Sequence, residues 1–381
     1  MNNHINCLHC IVPPHMLESM LANGNEAQKK VALNAIGISG GIRGHRQALA
    51  SAVAYLTPVT APGKHRTVYT ANDGSSLPGQ QVRDEGQPPS GDVAVNEAYD
   101  GAGDTYDLYW DIYQRNSLDG NGLHLDSTVH YQQNYDNAFW NGQQMVYGDG
   151  DGQLFNRFTI AVDVIGHELT HGVTQYMSNL DYQGQSGALN ESFSDVFGSL
   201  VKQRKLNQTA DQADWLIGEG LLTASVHGVA LRSMKAPGTA YDDPVLGKDP
   251  QPADMAHYVN TTQDNGGVHI NSGIPNHAFY LTAVASGGYA WEKAGKIWYA
   301  AGRDKFRSTT DFQGAADLTT QTAGELFGTD GAEQQAVKNA WIRVGITPGA
   351  PQTQPQPQPQ PQPGGCVTAP AAIIRSLFGG S

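Results

Sequence analysis

Cysteine is scarce: the 381 residues contain only Cys7, Cys10 and Cys366, all near the ends of the chain. A disulfide framework for the body is thereby excluded, and its stability has to come from packing. No apolar run approaches the roughly 20 residues that cross a bilayer as a helix. The opening MNNHINCLHCIVPPHML also lacks the basic end, apolar stretch and small-residue cleavage site of a secretory signal. A soluble protein is expected, either cytoplasmic or secreted by a leaderless route. Positive charge is short as well, with 23 Lys and Arg against 36 Asp and Glu and a net charge of -13. Nonspecific nucleic-acid binding is a poor fit to that balance.

The positive charge that exists lies at the front. Residues 1–66 carry Lys29, Lys30, Arg43, Arg46, Lys64 and Arg66 against Glu18 and Glu26, a balance of +4 that leaves -17 for the remainder. A basic leader on an acidic body suggests complementarity within one molecule, with a solvated arm as the alternative. From Leu17, LESMLANGNEAQKKVALNAI has helical spacing around a Gly-Asn break, consistent with two short helices. Residues 67–160 are rich in Gly, Asp, Asn, Tyr and Thr with short apolar runs, which predicts twisted antiparallel strands and turns. From about residue 160 the periodicity is helical, so an α+β fold of two lobes meeting at a cleft is expected. After Pro348 the alternating Pro-Gln run favours polyproline II, a spacer of about 50 Å at 3.1 Å per residue.

Within the first helical stretch, VIGHELTHGV places His167 and His171 four residues apart, on one helix face. Two imidazoles so placed reach one metal ion, and Glu168 is turned about 100° from the first ligand, over the place of a bound water. In the next helical stretch, ALNESFSDVFGSL, Glu191 and Asp195 lie four apart. Two histidines and a carboxylate, with a fourth position left for water, make an open zinc site suited to hydrolysis. Asp195 is the natural acceptor for the outer nitrogen of a ligand histidine. The alternative for Glu191 and Asp195 is a solvated helix face, although Leu189, Phe193, Val196, Phe197 and Leu200 surround them in the sequence.

GHELTHGVTQY, the nineteen-residue gap and GALNESFSD together resemble the thermolysin family of neutral zinc endopeptidases over roughly residues 67–346. The resemblance implies a β-rich N-terminal lobe and a mainly helical C-terminal lobe joined by a central catalytic helix. It implies zinc ligands His167, His171 and Glu191, Glu168 as general base, and Tyr182 and His269 as donors to the developing oxyanion, with Asp264 orienting His269. Asn137 and Ala138 of YDNAFWNGQQMVYGDGDG then hold substrate backbone as an added strand, whereas Asn137 alone reads as a turn residue. Arg232 is the expected contact to the carbonyl after the cut. Phe155, Val164 and Leu231 line an apolar pocket, so cleavage before Leu, Ile, Val or Phe is expected; without the family they read as ordinary core.

Two departures from the family pattern bear on regulation. Asp163, Asp214 and Glu219 match positions of a calcium cluster, but Lys202 and Leu216 replace carboxylates there. Calcium binding at that paired site is therefore expected to be lost. The leader, with CIVPPHML, resembles the protealysin-like branch, whose short propeptides carry a Pro-Pro-x-x-Leu motif. Pro13, Pro14 and Leu17 fit it, so a self-cleaving precursor is expected, opened somewhere in 44–67. The expected divisions are a propeptide over 1–55, lobes over 56–160 and 161–347, a linker over 348–365 and a tail over 366–381. Expected partners are peptide or protein substrates and the chain's own propeptide. Cys7 and Cys10, near His4 and His9, read as reduced thiols, a latch onto zinc or a second metal site. Competing readings of the whole are a noncatalytic peptide-binding scaffold with the same cleft, and a zinc aminopeptidase.

Overall fold

The computed structural model describes residues 10–38 and 63–349. The described residues belong to one unit. The divisions expected near residue 55, and the Pro-Gln run with its tail, lie outside the described residues.

The N-terminal arm begins with an extended stretch and then α1 (Pro14–Asn23), with Pro13 at the N-cap and Pro14 at the first helical position, where a missing N–H costs nothing. A second helix, α2, runs from 26 to 38. Asn25 starts it reciprocally: its Oδ1 accepts the Gln28 N–H at 3.0 Å, and its own N–H donates to Gln28 Oε1 at 2.8 Å. The predicted helix pair is thus present. In the described arm Lys29 pairs with the arm's own Glu26. Lys64 to Asp107 at 2.7 Å and Arg66 to Glu85 at 2.6 Å are pairs within the first lobe, and Arg43 and Arg46 lie outside the described residues.

The first lobe holds β1 (Arg66–Thr70), β2 (Gln80–Asp84), α3 (Val93–Tyr113), β3 (Leu125–Val129), β4 (Ala138–Trp140) and β5 (Met145–Tyr147). The strands form one sheet in the order β2-β1-β3-β5-β4. The expected all-antiparallel pattern is corrected here: β1–β3 and β3–β5 are parallel. Parallel neighbours need a long crossover, and α3 lies in the connection from β1 to β3. Its Gly, Asp and Tyr content hid this helix from a reading by composition. Its buried face nonetheless repeats at helical spacing through Val95, Ala98, Tyr99, Ala102, Tyr106, Tyr109 and Tyr113, and the Asp92 carboxylate caps its start by accepting the Ala94 N–H at 2.9 Å.

The second lobe contains α4 (Val162–Gln175), α5 (Gly184–Leu206), α6 (Asp264–Asn271), α7 (Gly273–Ser286), α8 (Ala294–Asp304), α9 (Phe312–Phe327) and α10 (Ala332–Arg343). Helix α4 is buried from Asp163 to Thr174, because α5, α3 and strand β4 all pack against it. Glycine sets the closeness of α4 and α5. A Cβ on Gly198 would strike the Asp163 carbonyl, and one on Gly166 would come within 3.0 Å of the Gly198 Cα. That approach allows a side chain of α5 to reach the histidines of α4.

Candidate metal centre and substrate cleft

His167 and His171 project from α4 with their Nε2 atoms 3.0 Å apart, and Glu191 of α5 brings a carboxylate oxygen within 3.5 Å of each. All three side chains are buried. His167 Nδ1 lies 2.8 Å from the Asp195 carboxylate, and His171 Nδ1 lies 3.0 Å from Asn190 Oδ1 and 2.9 Å from Ser194 Oγ. Asp195 and the Asn190 oxygen only accept, so each Nδ1 bears a proton and each Nε2 is the nitrogen turned toward the other ring. Facing lone pairs and a carboxylate repel one another unless a cation lies among them. Zinc with N bonds of about 2.0–2.1 Å holds two such nitrogens about 3.3 Å apart in a tetrahedron, close to the spacing found, so the donor set fits zinc.

Around this group the outer partners are arranged by charge. Asp195 is fully buried, yet Arg232 and His167 outweigh the desolvation of its carboxylate and hold it down at about 2. Arg232 grips it with two bonds, Nε to Oδ2 at 2.9 Å and Nη2 to Oδ1 at 2.8 Å, while Asn276 Nδ2 adds a third at 2.8 Å. Glu168, the residue after the first histidine, accepts the Trp140 N–H of β4 at 3.0 Å.

Tyr182 and His269 reach the same centre from separate segments. The Tyr182 hydroxyl bonds Glu191 Oε1 and lies 3.1 Å from His269 Nε2. Asp264 holds His269 twice, through its backbone N–H at 2.8 Å and Nδ1 at 2.6 Å. That return is made by four successive left-handed residues, Asp264, Asn265, Gly266 and Gly267, the last two free to adopt such a backbone. Burial disfavours charge on His269, but Asp264 and Glu191 prevail and raise it to about 9.

The edge of the sheet, β4, is covered by the arm. Ile11 donates its N–H to the Ala138 carbonyl at 3.2 Å, and Val12 donates to Asn137 Oδ1 at 3.0 Å while its carbonyl accepts Asn137 Nδ2 at 3.3 Å. Cys10 pairs antiparallel with Phe139, and the Ile11 carbonyl accepts Arg232 Nη1 at 3.2 Å. Behind them Met16, Leu17 and Met20 are buried, His15 Nε2 lies 3.0 Å from the Tyr241 hydroxyl, and Ser19 donates to the Val245 carbonyl at 2.8 Å. The structure thus brings together His167, Glu168, His171, Tyr182, Glu191, Asp195, Arg232, Asp264, His269, Asn137 and Ala138. Phe155, Val164 and Leu231 are buried in the surrounding core.

Asn190, Ser194 and Asn276 were missed by the sequence reading, although Asn190 adjoins Glu191. So were Ile11 and Val12, which bond β4 directly, whereas Pro13 and Pro14 shape the chain behind them. Among the described residues the metal-capable group is His167, His171 and Glu191. Cys7, His4 and His9 lie outside the described residues.

A two-lobed fold with paired histidines on one helix and a glutamate on the next defines a zinc metallopeptidase class. The description "Thermolysin metallopeptidase, catalytic domain" matches residues 55–175, and "Thermolysin metallopeptidase, alpha-helical domain" matches residues 178–346. An extracellular metalloprotease of Pectobacterium carotovorum subsp. carotovorum is 53% identical over 88% of this chain and 96% of the relative. Protease PrtS of a Photorhabdus species is 47% identical, over 88% and 91%. The solved precursor of protealysin from Serratia proteamaculans is 52% identical with a TM-score of 0.81, covering 89% of this chain and 100% of that one. The chain belongs to the thermolysin family of metallopeptidases. It is a neutral metalloendopeptidase of a zinc-dependent family. No helix among the described residues is long and apolar enough to cross a membrane.

Proposed function

We propose that this metalloendopeptidase is made latent, cuts before Leu, Ile, Val or Phe, and is restrained by its own residues 1 to about 55. The observation that carries the reading is the arm on β4: Ile11 and Val12 bond Ala138, Asn137 and Arg232 as a strand of substrate would. Catalytic lobes over 56–160 and 161–347, a linker over 348–365 and a tail over 366–381 complete the organisation. The names of the extracellular relatives support secretion.

His167, His171 and Glu191 hold zinc, which when bound polarises the substrate carbonyl and lowers the pKa of water. Glu168, fixed by the Trp140 N–H, takes a proton from the attacking water and hands it to the leaving nitrogen. Tyr182 and His269 donate to the oxygen on which charge develops, and Asp264 positions His269. Asp195 fixes the His167 ring and anchors Arg232, which with Asn137 and Ala138 aligns the peptide. Phe155, Val164 and Leu231 receive the apolar side chain after the cut. Lys202, 2.7 Å from Asp214, 3.0 Å from Glu219 and 3.6 Å from Asp163, supplies there the charge of a cation, so this site works without calcium.

The test is incubation of the full chain and its Glu168→Ala variant with a blocked peptide containing an internal Gly-Leu bond. The wild type is expected to lose its arm by cleavage within 44–67 and to cut before Leu. The variant does neither, since a lost general base costs about 10²–10⁴-fold. Replacing the Leu by Gly lowers kcat/KM by roughly 10- to 150-fold, from about 1.5–3 kcal/mol of apolar burial. Wild-type protein that is active while intact from Met1 refutes latency, and inactivity of every form with zinc bound leaves only a peptide binder.

A further inference from the structure

We infer that the Cys10–Ile11 peptide bond is itself a cleavage site, cut within the molecule's own cleft while the rest of the arm stays seated. The inference rests on the proposed substrate geometry and adds a site and an order of events to it. Arg232 is the contact for the carbonyl of the residue after the cut, and here it donates to the Ile11 carbonyl at 3.2 Å. Ile11 therefore occupies the place after the scissile bond, and the bond is the one joining it to Cys10. The side chain agrees with this place, since Ile11 is apolar and wholly buried.

Neighbouring contacts put the same peptide group level with the catalytic side chains. On its far side Arg232 holds Asp195, which holds His167. On its near side Cys10 stands opposite Phe139, and the next residue of that strand, Trp140, holds Glu168. Cys10 meets Phe139 in an antiparallel bridge and Ile11 donates its backbone N–H to the Ala138 carbonyl, so the peptide group between them lies along the strand, and the chain bends away only from Ile11 onward, where Val12 is held by the Asn137 side chain.

Hydrolysis joins the oxygen of water to the Cys10 carbonyl carbon and breaks its bond to Ile11 nitrogen. One water proton passes through Glu168 to that nitrogen as the bond breaks, the second is lost from the new carboxyl and taken up by the freed amine, and the products are a Cys10 carboxylate and an ammonium N-terminus at Ile11. Water is the only co-reactant. The new N-terminus stays in the cleft, because Met16, Leu17 and Met20 are buried behind it and the arm remains joined to the body. Latency thus survives this cut and ends only with release of the arm at 44–67.

The experiment follows the full chain and its Glu168→Ala variant by intact-mass spectrometry across a hundredfold range of concentration, with a blocked Gly-Leu peptide as parallel substrate. A wild-type species beginning at Ile11, formed at a rate independent of concentration and absent from the variant, is expected. A second readout is independent of activity: in the Glu168→Ala chain, Ile11→Asp unseats the arm and speeds trypsin cleavage after Lys29 or Lys30 by at least ~10-fold, while Ile11→Val changes it by less than ~3-fold. If the wild type cuts the peptide and opens within 44–67 but never yields a chain starting at Ile11, the inference is overturned and the proposed function stands. An unchanged trypsin rate in Ile11→Asp also overturns it. If neither peptide nor chain is cut, the proposed function falls first and the inference with it.

Discussion

Lys202 offers a quantitative test of how this fold supports α4. Its ammonium lies among Asp214, Glu219 and Asp163, and Asp163 opens the helix that carries both ligand histidines. Burial pushes the Asp163 carboxyl up to about 6, against the pull of Lys202 in the other direction. Lys202→Met removes the counter-charge but keeps most of the side-chain volume. Because the Asp163 carboxyl, at about 6, takes up a proton once its partner is gone, its share of the loss at pH 7 is limited to about 1.4 kcal/mol, and the more exposed Asp214 and Glu219 add at most about 1 kcal/mol. A loss of about 1.5–2.5 kcal/mol follows, equivalent to a fall in Tm of roughly 2–3 °C at about 1.3 °C per kcal/mol for a chain of this length.

The measurement is calorimetric unfolding of both chains in the Glu168→Ala background, which prevents self-digestion. The pH dependence has a definite sign. Asp163 has a folded pKa above its unfolded value, so its ionisation opposes folding, and Lys202 offsets that only when the carboxyl is charged. At pH 5 Asp163 is mostly protonated in both proteins, and by pH 8 it is charged in the parent. The Tm gap should therefore widen from pH 5 to pH 8. A gap under about 1 °C at pH 7, or one that does not change with pH, would refute the argument that Lys202 serves as the cation of this cluster.

Three further outcomes are expected. Lys202→Glu in the same background acquires a Tm that rises with millimolar calcium, whereas the parent does not, by calorimetry with and without a chelator. Asp195→Asn loosens the His167 ring and lowers zinc affinity by about 10–100-fold in a chelator competition. His130 bonds two carboxylates, Asp149 at 2.7 Å and Asp92 at 2.8 Å, and these bonds raise it to about 9. Its stabilisation is fully present below about pH 6.5 and lost as pH rises through 9, so the Tm gap to His130→Asn, which tolerates the left-handed backbone there, closes between pH 7 and 10.

The metal ligands were legible because each pair needed only one helix. His167 and His171, like Glu191 and Asp195, are four residues apart, and helical geometry alone puts each pair on one face. Helix α3 was legible in principle, through Val95, Ala98, Tyr99 and Ala102, but its composition argued for turns and strands. The parallel pairs of the sheet were not legible, because they depend on where α3 carries the chain between β1 and β3. Asn190, Ser194 and Asn276 likewise lack a motif of their own: their bonds to His171 and Asp195 depend on how α5 lies against α4 and α7 against α5.

The amino-acid order by itself determined the donor set: two histidines four apart with a glutamate beside the first, and two further carboxylates four apart, each pair written in a spacing that one helix converts into geometry. Tertiary structure alone decided what occupies the cleft and in which direction. An edge strand offers the same backbone donors and acceptors to many chains. That Ile11 and Val12 lie on β4, with Arg232 on the Ile11 carbonyl, follows from where Met16, Leu17 and Met20 find burial, and burial is a property of surfaces that meet only when the chain is folded.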